Sequence, residues 1–257
     1  MNGLIGYTGF VGAQLDSSGA YGARYRSTNI GEVAGKEFEH LVCAGVQAVK
    51  WWANKNPDED WAGIEKLLKP LKEAKAKRVT LISSIDVYNP PREVDEDSEI
   101  ECDGHHAYGL HRLKVEEWVK EHFDQVAILR LPGLFGPGLK KNVIYDMMHD
   151  NQLENVHPDG CFQYYDTRRL AGDISQCWEQ GIDLLNLSSE PILTSEIRDR
   201  FFSGKELGGS GPAPAGYDMR SKYDKAWGGN SGYLFSKEQM FDDLGSFLES
   251  ERDGGLA

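Results

Sequence analysis

Short apolar runs alternate along this chain with longer stretches whose apolar residues recur every three or four positions. Leu4-Ile5 opens the first run, a short strand. Phe10, Val11 and Leu15 then follow helical spacing until Asp16-Ser17-Ser18-Gly19 stops it. Ala23-Arg24-Tyr25-Arg26 predicts a second strand ending at Ser27-Thr28-Asn29, and His40 to Ala44 a buried strand closed by Gly45. Between residues 58 and 76, Trp61, Ile64, Leu67, Leu68, Leu71 and Ala74 mark one face of a helix. Arg78 to Ile82 is an apolar, branched strand, and residues 89–103 form an acidic loop with prolines. Residues 107–122 are helical, with Leu110, Leu113, Val115, Trp118 and Val119 at the apolar positions. Val126 to Leu131 is a further strand, ended by Pro132-Gly133. The alternation predicts an α/β fold: a doubly wound parallel sheet with helices on both faces. The stretch before the His40 strand is short, so one helix–strand crossover is trimmed.

The pattern changes after Gly133. Residues 134–165 are loop-rich, with one helix near Ile144 to Met148. Residues 168–180 predict a helix and Leu184 to Ser188 a strand. Residues 204–232 are dense in Gly, Pro and Ser and read as irregular. Phe241 to Leu248 closes the chain as an amphipathic helix. The expected division is a main domain of residues 1–135 with about 166–190, and a smaller region of about 136–165 and 191–257.

Composition narrows the function classes. With 257 residues and 40% hydrophobic residues the chain can bury a sizeable core. No apolar run approaches the roughly 20 residues of a membrane span. Met1 stands almost against the first glycines, which leaves no room for a signal peptide. The four cysteines are scattered, without metal or redox spacing, which predicts reduced thiols in a cytoplasmic protein and no metal site. A net charge of -13 repels nucleic acid and anionic membranes. An anionic substrate must therefore meet a local basic cluster.

The segment Gly6-Tyr7-Thr8-Gly9-Phe10-Val11-Gly12 follows a strand and opens a helix, the context in which spaced glycines bind a dinucleotide. The first glycine permits the turn, the second admits the pyrophosphate, and the third lets helix pack on strand. Helix-start amides then hold the phosphates. Gly6, Thr8, Gly9, Phe10, Val11 and Gly12 are the expected cofactor contacts, with Ala44 and Gly45 after the third strand and Leu131 and Pro132 after the 126–131 strand. The second strand ends in Arg26-Ser27-Thr28-Asn29 without a carboxylate. An acid there bonds the ribose hydroxyls of NAD, whereas arginine accommodates a 2′-phosphate. Arg26 and Ser27 thus favour NADP slightly over NAD, unless Arg24 and Arg26 are merely exposed strand residues.

Ser83-Ser84-Ile85-Asp86-Val87-Tyr88 places hydroxyls at the end of the Arg78 strand, the sheet edge where open α/β folds bind ligands. His105-His106-Ala107-Tyr108-Gly109-Leu110-His111-Arg112 and Arg130-Leu131-Pro132-Gly133-Leu134-Phe135-Gly136-Pro137 follow in order. Together with the glycine loop, these segments resemble the extended short-chain dehydrogenase/reductase family, the NAD-dependent epimerase/dehydratases. The resemblance covers about residues 3–190. It implies a Rossmann-type domain for NAD(P) in the main region and substrate binding in the smaller one. It further implies an epimerase or keto-reductase acting on a nucleotide-sugar or related sugar, and a homodimer. By the same resemblance Tyr108 is the acid/base phenol and Ser84 the hydroxyl that bonds the same substrate oxygen.

The family's Tyr-x-x-x-Lys is here Tyr108-x-x-x-Arg112. At i+4, Arg112 lies about 40° around the helix from Tyr108, whereas Lys114 lies about 240° around. A phenol titrating near 10 needs a cation to work at neutrality, and roughly 4 kcal/mol of differential stabilisation to titrate there. Arg112 is expected to supply that field, and to meet the cofactor as well, although its larger fork contacts a ribose differently from an ammonium. Sugar-nucleotide dehydratases of the family carry an acidic pair after the catalytic hydroxyl. Ile85-Asp86 offers one acid, so Asp86 is a catalytic candidate and dehydration is disfavoured. His105, His106 and His111 are further acid/base candidates. Lys140, Lys141, Asn142 and Arg220 are the expected substrate contacts, and Arg168 and Arg169 further anion candidates. Trp51, Trp52, Tyr164 and Tyr165 are candidates to stack on a sugar or base. A non-catalytic NAD(P) sensor and a structural dimer protein of the same fold remain as alternatives.

Overall fold

The computed structural model describes residues 1–211 and 214–254. Strand β1 (Asn2–Ile5) leads into helix α1 (Phe10–Asp16) and strand β2 (Ala23–Tyr25). Between β2 and β3 (Glu37–Cys43) the only regular element is a 3-10 turn at Ile30–Val33, as the trimmed crossover predicts. Helices α2 (Lys50–Lys55) and α3 (Pro57–Leu71) precede β4 (Lys75–Ser84), and β5 (Arg92–Val94) precedes α4 (Ala107–His122). Strands β6 (Val126–Leu131) and β7 (Gly133–Phe135) and helix α5 (Val143–His149) follow. Next come β8 (Cys161–Phe162), β9 (Tyr164–Asp166), α6 (Leu170–Glu179) and β10 (Leu184–Asn186). The chain continues through β11 (Ile192–Leu193), α7 (Thr194–Phe201) and β12 (Asp218–Met219) to α8 (Lys237–Gly254).

Six strands form one sheet in the order β10-β6-β4-β3-β1-β2. β1 runs parallel to both β2 and β3, and β3 parallel to β4. The chain leaves β1 toward one edge and β3 toward the other. The strand order therefore reverses between them, which opens a crevice at their C-terminal ends. β6 is buried at every position from Ala127 to Leu131, as expected of a parallel strand covered on both faces.

The described chain falls into two compact units. The first comprises Met1–Asn89, Glu99–Arg130 and Arg169–Leu185; the second comprises Pro90–Ser98, Leu131–Arg168 and the chain from Asn186 onward. In the first unit, Ile64, Leu67, Leu68 and Leu71 of α3 and Val115 and Val119 of α4 join the sheet's apolar core. Each such side chain contributes about 1.5–3 kcal/mol of transfer free energy. The second unit holds three two-stranded pairs, β7 with β9, β8 with β11 and β5 with β12. Strands of two or three residues show no alternation, which is why the pattern predicts only loop there. The 89–103 loop accordingly contains β5. Helices α2 and α7 also escape the pattern, because they bury only Ala53 and only Thr194 and Ile197 respectively. The predicted 58–76 helix ends earlier, at Leu71, and β4 begins earlier, at Lys75. Those first residues of β4 are held by pairing with the charged start of β3, where Lys75 meets Glu37.

A buried ion pair ties β6 to α4. Arg130 donates through Nη2 to Glu116 Oε2 at 2.6 Å and through Nε to Oε1 at 3.0 Å. Its Nη1 donates to the Tyr88 hydroxyl at 2.6 Å, and Ser83 donates to Glu116 Oε1. With both side chains at most 4% exposed, removing one partner strands the other charge in the core. Glu116→Ala should cost about 3–5 kcal/mol in urea unfolding. A loss below about 1 kcal/mol would show that Arg130 finds another partner.

Candidate active site

The site is built at the C-terminal edge of the sheet in the first unit. After β1 the backbone turns at Gly6, whose φ is +86°, and Gly9 donates to the Gly6 carbonyl at 2.9 Å. Ala44, just past β3, donates to the Ile5 carbonyl at 2.9 Å. A Cβ at Gly6 would lie 2.4 Å from the Ala44 carbonyl oxygen, and one at Gly12 only 2.0 Å from that of Gly6. Backbone replaces side chain throughout this cradle. Helix α1 starts behind Gly9 with no side chain capping it, and Thr8 and Gly9 are exposed. Phe10, Val11 and Gly12 form its first turn. The cradle fits a dinucleotide pyrophosphate, which requires close backbone approach and helix-start amides. Ala44 and Gly45 lie half-buried beside it. Leu131 closes β6 and Pro132 follows, both buried. Arg26 and Ser27 are exposed at the end of β2, with Arg26 Nε donating to Thr28 Oγ1 at 3.0 Å. Arg24 is instead paired with Asp16.

Ser84 ends β4. Its Oγ accepts from the Asp86 amide at 3.1 Å and so caps the following 3-10 turn. Tyr108, in the first turn of α4, is 6% exposed, and its phenol and the Ser84 hydroxyl are hydrogen-bonded to each other. The helix reaches the turn so closely because position 109 is glycine. A Cβ there would lie 2.1 Å from the Asp86 carbonyl oxygen. Asp86 holds the ammonium of Lys50, from α2, at 2.7 Å. Four groups thus converge: Ser84, Asp86, Tyr108 and Lys50.

Arg112 is placed differently from the sequence expectation. Its guanidinium lies over the face of the Tyr108 ring, 3.9 Å from the centroid, and is 4% exposed. Nη1 donates to Asp60 Oδ2 at 2.7 Å, and Nη2 donates to Asp60 Oδ1 at 3.3 Å and to the Gln47 carbonyl. Asp60 is equally buried and also accepts from His111 Nδ1 at 2.8 Å. The fork is therefore engaged with a buried carboxylate. Burial pushes the Tyr108 phenol above its ordinary value. Arg112, the Ser84 hydrogen bond and Lys50 pull against this, while Asp86 adds to it, and the net direction is upward. The expected lowering by Arg112 does not prevail, because the ring lies buried where a negative oxygen is poorly solvated.

The three histidines are structural rather than spare acids. His105 contacts the Val87 carbonyl through Nε2 at 2.9 Å, and His111 is held by Asp60. His106 caps α4 by accepting from the Gly109 amide through Nδ1 at 3.0 Å, so its ring is neutral there. Burial also lowers its affinity for a proton.

In the second unit, Lys140 and Lys141 are exposed. Asn142 is the cap of α5: its Oδ1 accepts from the Ile144 and Tyr145 amides at 3.0 and 3.1 Å, and its Nδ2 donates to the Leu134 carbonyl at 2.8 Å. These bonds engage its side chain in shaping the loop. Arg220 is paired with Asp218 at 2.8 Å and Arg168 with Asp166 at 2.6 Å, so neither is an uncompensated charge. Tyr164 and Tyr165 are buried, at 3% and 0% exposure, and have no face to offer a sugar. Trp51 is 70% exposed and Trp52 half-buried. Sequence reasoning missed Asp60, Lys50 and Asn54. Asp60 carries one signal, since it continues the buried face of α3 one turn before Ile64.

The model of the NAD dependent epimerase/dehydratase family matches residues 27–168, a stretch that contains Ser84, Asp86, Tyr108 and Arg112. No curated protein matches the chain. A dTDP-4-dehydrorhamnose reductase from Clostridium acetobutylicum has a similar structure, with TM-score 0.73 and 14% identity over 98% of this chain and 100% of that one. A UDP-glucose 4-epimerase from Thermotoga maritima gives 0.64 and 13% over 85% and 90%. RMD from Pseudomonas aeruginosa, complexed with NADPH, gives 0.66 and 17% over 90% and 93%. At such identities the likeness is one of fold.

The close approach at Gly109 has a direct test. Gly109→Ala should lower stability in urea by about 1–3 kcal/mol, because its methyl meets backbone that cannot rotate aside. An unchanged midpoint would mean that α4 does not sit this close to the turn.

Proposed function

This chain belongs to the NAD dependent epimerase/dehydratase family, and we propose that it reduces a keto group on a nucleotide-linked sugar. The observation that carries the direction is the buried Tyr108 phenol, held protonated and hydrogen-bonded to Ser84. A protonated phenol is equipped to give a proton to a carbonyl oxygen, not to take one from an alcohol. An epimerase must do both in turn, so reduction is favoured. The names of similar structures, reductases and an epimerase of nucleotide sugars, support this substrate class.

Gly6, Thr8, Gly9, Phe10, Val11 and Gly12 would hold the pyrophosphate, with Ala44, Gly45, Leu131 and Pro132 as further cofactor contacts. Arg26 and Ser27 would receive a 2′-phosphate, which makes NADP the slightly preferred cofactor. When bound, the reduced nicotinamide supplies a hydride to the carbonyl carbon. Ser84 would bond the carbonyl oxygen and orient it. Tyr108 gives that oxygen its proton. Asp86 positions the turn beneath them and holds Lys50, and Arg112 fixes the phenol's ring. A single acid after Ser84 is too few for the paired chemistry of dehydration. The second unit is assigned to the substrate, with Lys140 and Lys141 as the exposed charges for a diphosphate. Arg220, neutralised by Asp218, is a weaker candidate. The reading includes a homodimer and a cytoplasmic location. Four free cysteines support the latter, and no helix among the described residues is long and apolar enough to cross a membrane.

NADPH fluorescence titration and a panel of keto-sugar nucleotides test this reading. Tyr108→Phe should lose at least about 100-fold in kcat and keep its NADPH affinity. Full activity would remove Tyr108 from the chemistry, and cofactor binding without any turnover by the unmodified protein would favour a sensor. Arg26→Ala should weaken NADPH about tenfold and leave NADH unchanged. Equal losses for both would assign Arg26 no role with the 2′-phosphate. The reductive kcat should be flat from about pH 6 to 9 and fall only near the phenol's alkaline titration. A midpoint near neutrality would contradict a raised phenol.

A further inference from the structure

Strand β2 ends against the glycine cradle, where the Gly6 amide donates to the Tyr25 carbonyl at 2.7 Å. The next four residues, Arg26 to Asn29, form a turn closed by the Asn29 amide, which donates to the Arg26 carbonyl at 3.0 Å. Asn29 stands just before the 3-10 turn Ile30–Val33, where an asparagine ordinarily accepts from the amides ahead of it. Its side chain makes no such bond. It turns back instead: Oδ1 accepts from the Arg26 amide at 2.7 Å, and Nδ2 donates to the Arg24 carbonyl at 3.2 Å. Asn29 is half-buried, whereas Arg26, Ser27 and Thr28 are exposed.

This clasp fixes more than backbone. Arg26 Nε donates to Thr28 Oγ1 at 3.0 Å, so the guanidinium is held by its inner nitrogen while Nη1 and Nη2 are left to form a planar fork. Thr28 accepts with its oxygen and keeps its own proton to give. Arg24 is paired with Asp16, but Arg26 makes no ion pair among the described residues. An exposed arginine is by itself ordinary. Here its main chain is bonded to Asn29 through both the amide and the carbonyl, and its side chain is steered by the next hydroxyl but one. The turn offers the fork of Arg26 and the hydroxyls of Ser27 and Thr28, with no carboxylate among its four residues. That is the chemistry of a phosphate site, set at the strand end beside the cradle.

We propose that Asn29 and Thr28 set the cofactor preference of this chain: Asn29 clasps the turn and Thr28 steers the Arg26 fork, so that a phosphate on the 2′-oxygen of the adenosine ribose meets donors already in place. The proposal deepens the reading of Arg26 as the 2′-phosphate contact and rests on it. A loose arginine loses the freedom of a long side chain when it binds, and that loss subtracts from affinity. A fork held beforehand loses less. Asn29 makes no bond to the cofactor and acts through Arg26, as a positioning residue. Thr28 both steers the fork and gives its hydroxyl proton to the phosphate. A dinucleotide without that phosphate gains nothing from either residue. Their effect therefore falls on the ratio of two affinities and not on binding as a whole.

Calorimetric titration of the full chain with adenosine 2′,5′-bisphosphate and with 5′-AMP tests this without substrate or turnover. The unmodified protein should bind the bisphosphate at least about tenfold tighter. Asn29→Ala should cut that ratio about fivefold and leave the 5′-AMP affinity unchanged, which also shows that the cradle is intact. Thr28→Val should cut it by a similar factor, and Thr28→Ser should restore it. A ratio near one in the unmodified protein would overturn the proposal. So would a ratio that survives both Asn29→Ala and Thr28→Val but falls in Arg26→Ala, since Arg26 would then act without the clasp. Equal losses for both nucleotides in Asn29→Ala would reduce Asn29 to a structural part of the turn and would likewise overturn it. Binding of neither nucleotide would sink the cofactor reading together with the clasp. A protein that shows the predicted ratios and reduces none of the sugars would sink the keto-sugar reading alone.

Discussion

Asp60 and Arg112 meet where almost no water reaches, and the site is arranged around that contact. A buried guanidinium must have a carboxylate beside it, or the charge is expelled. Asp60 supplies it from α3 and takes His111 as a second donor. With its charge so balanced, the fork lies flat on the Tyr108 ring and reaches the Gln47 carbonyl with its remaining nitrogen. One side chain thereby fixes the phenol's orientation, the start of α2 and the packing of α3 on α4. A lysine at position 112 would present a point charge on a flexible stem and could not make this planar set of contacts.

The electrostatic consequence is a division of labour. Arg112 is the anchor, stacked on the ring and held by Asp60, while Lys50 from another helix is paired with Asp86 at the turn after β4. The phenol is left with its proton, since burial outweighs the cations around it. In the proposed reading, that protonation state favours donation. It agrees with the single carboxylate, Asp86, that follows Ser84.

Much of the scaffold was legible in the residues themselves. The α4 helix spans Ala107 to His122 as expected and is capped by His106, although its buried face sets His111, Arg112 and Glu116 beside Val115 and Val119. The Gly6 to Gly12 cradle was legible because the constraint is steric and local: a side chain at Gly6 or Gly12 would overlap backbone a few residues away or on the adjacent strand. Asp60 was not. An acid in the first turn of a helix is ordinarily explained by the helix dipole, and Asp58 and Glu59 beside it reinforce that explanation. Its true partners lie 51 and 52 residues away. Lys50 was equally hidden, in a short helix with a single buried residue and no periodic face to orient it. At Asn142 and Arg220, expected as substrate contacts, the side chains are engaged within the fold for a related reason. Composition marks a residue as polar, while only the fold decides whether a helix end or a neighbouring aspartate claims it first.

In the proposed reaction a nicotinamide meets a fixed phenol whose stacked arginine stays with its carboxylate. A crystal structure with NADPH bound measures this most directly. It should place the pyrophosphate on the Gly6–Gly12 turn and the nicotinamide toward Tyr108 and Ser84, with Arg112 still paired to Asp60. A cofactor bound elsewhere, or an Arg112 that leaves Asp60 to take the ribose, would contradict it.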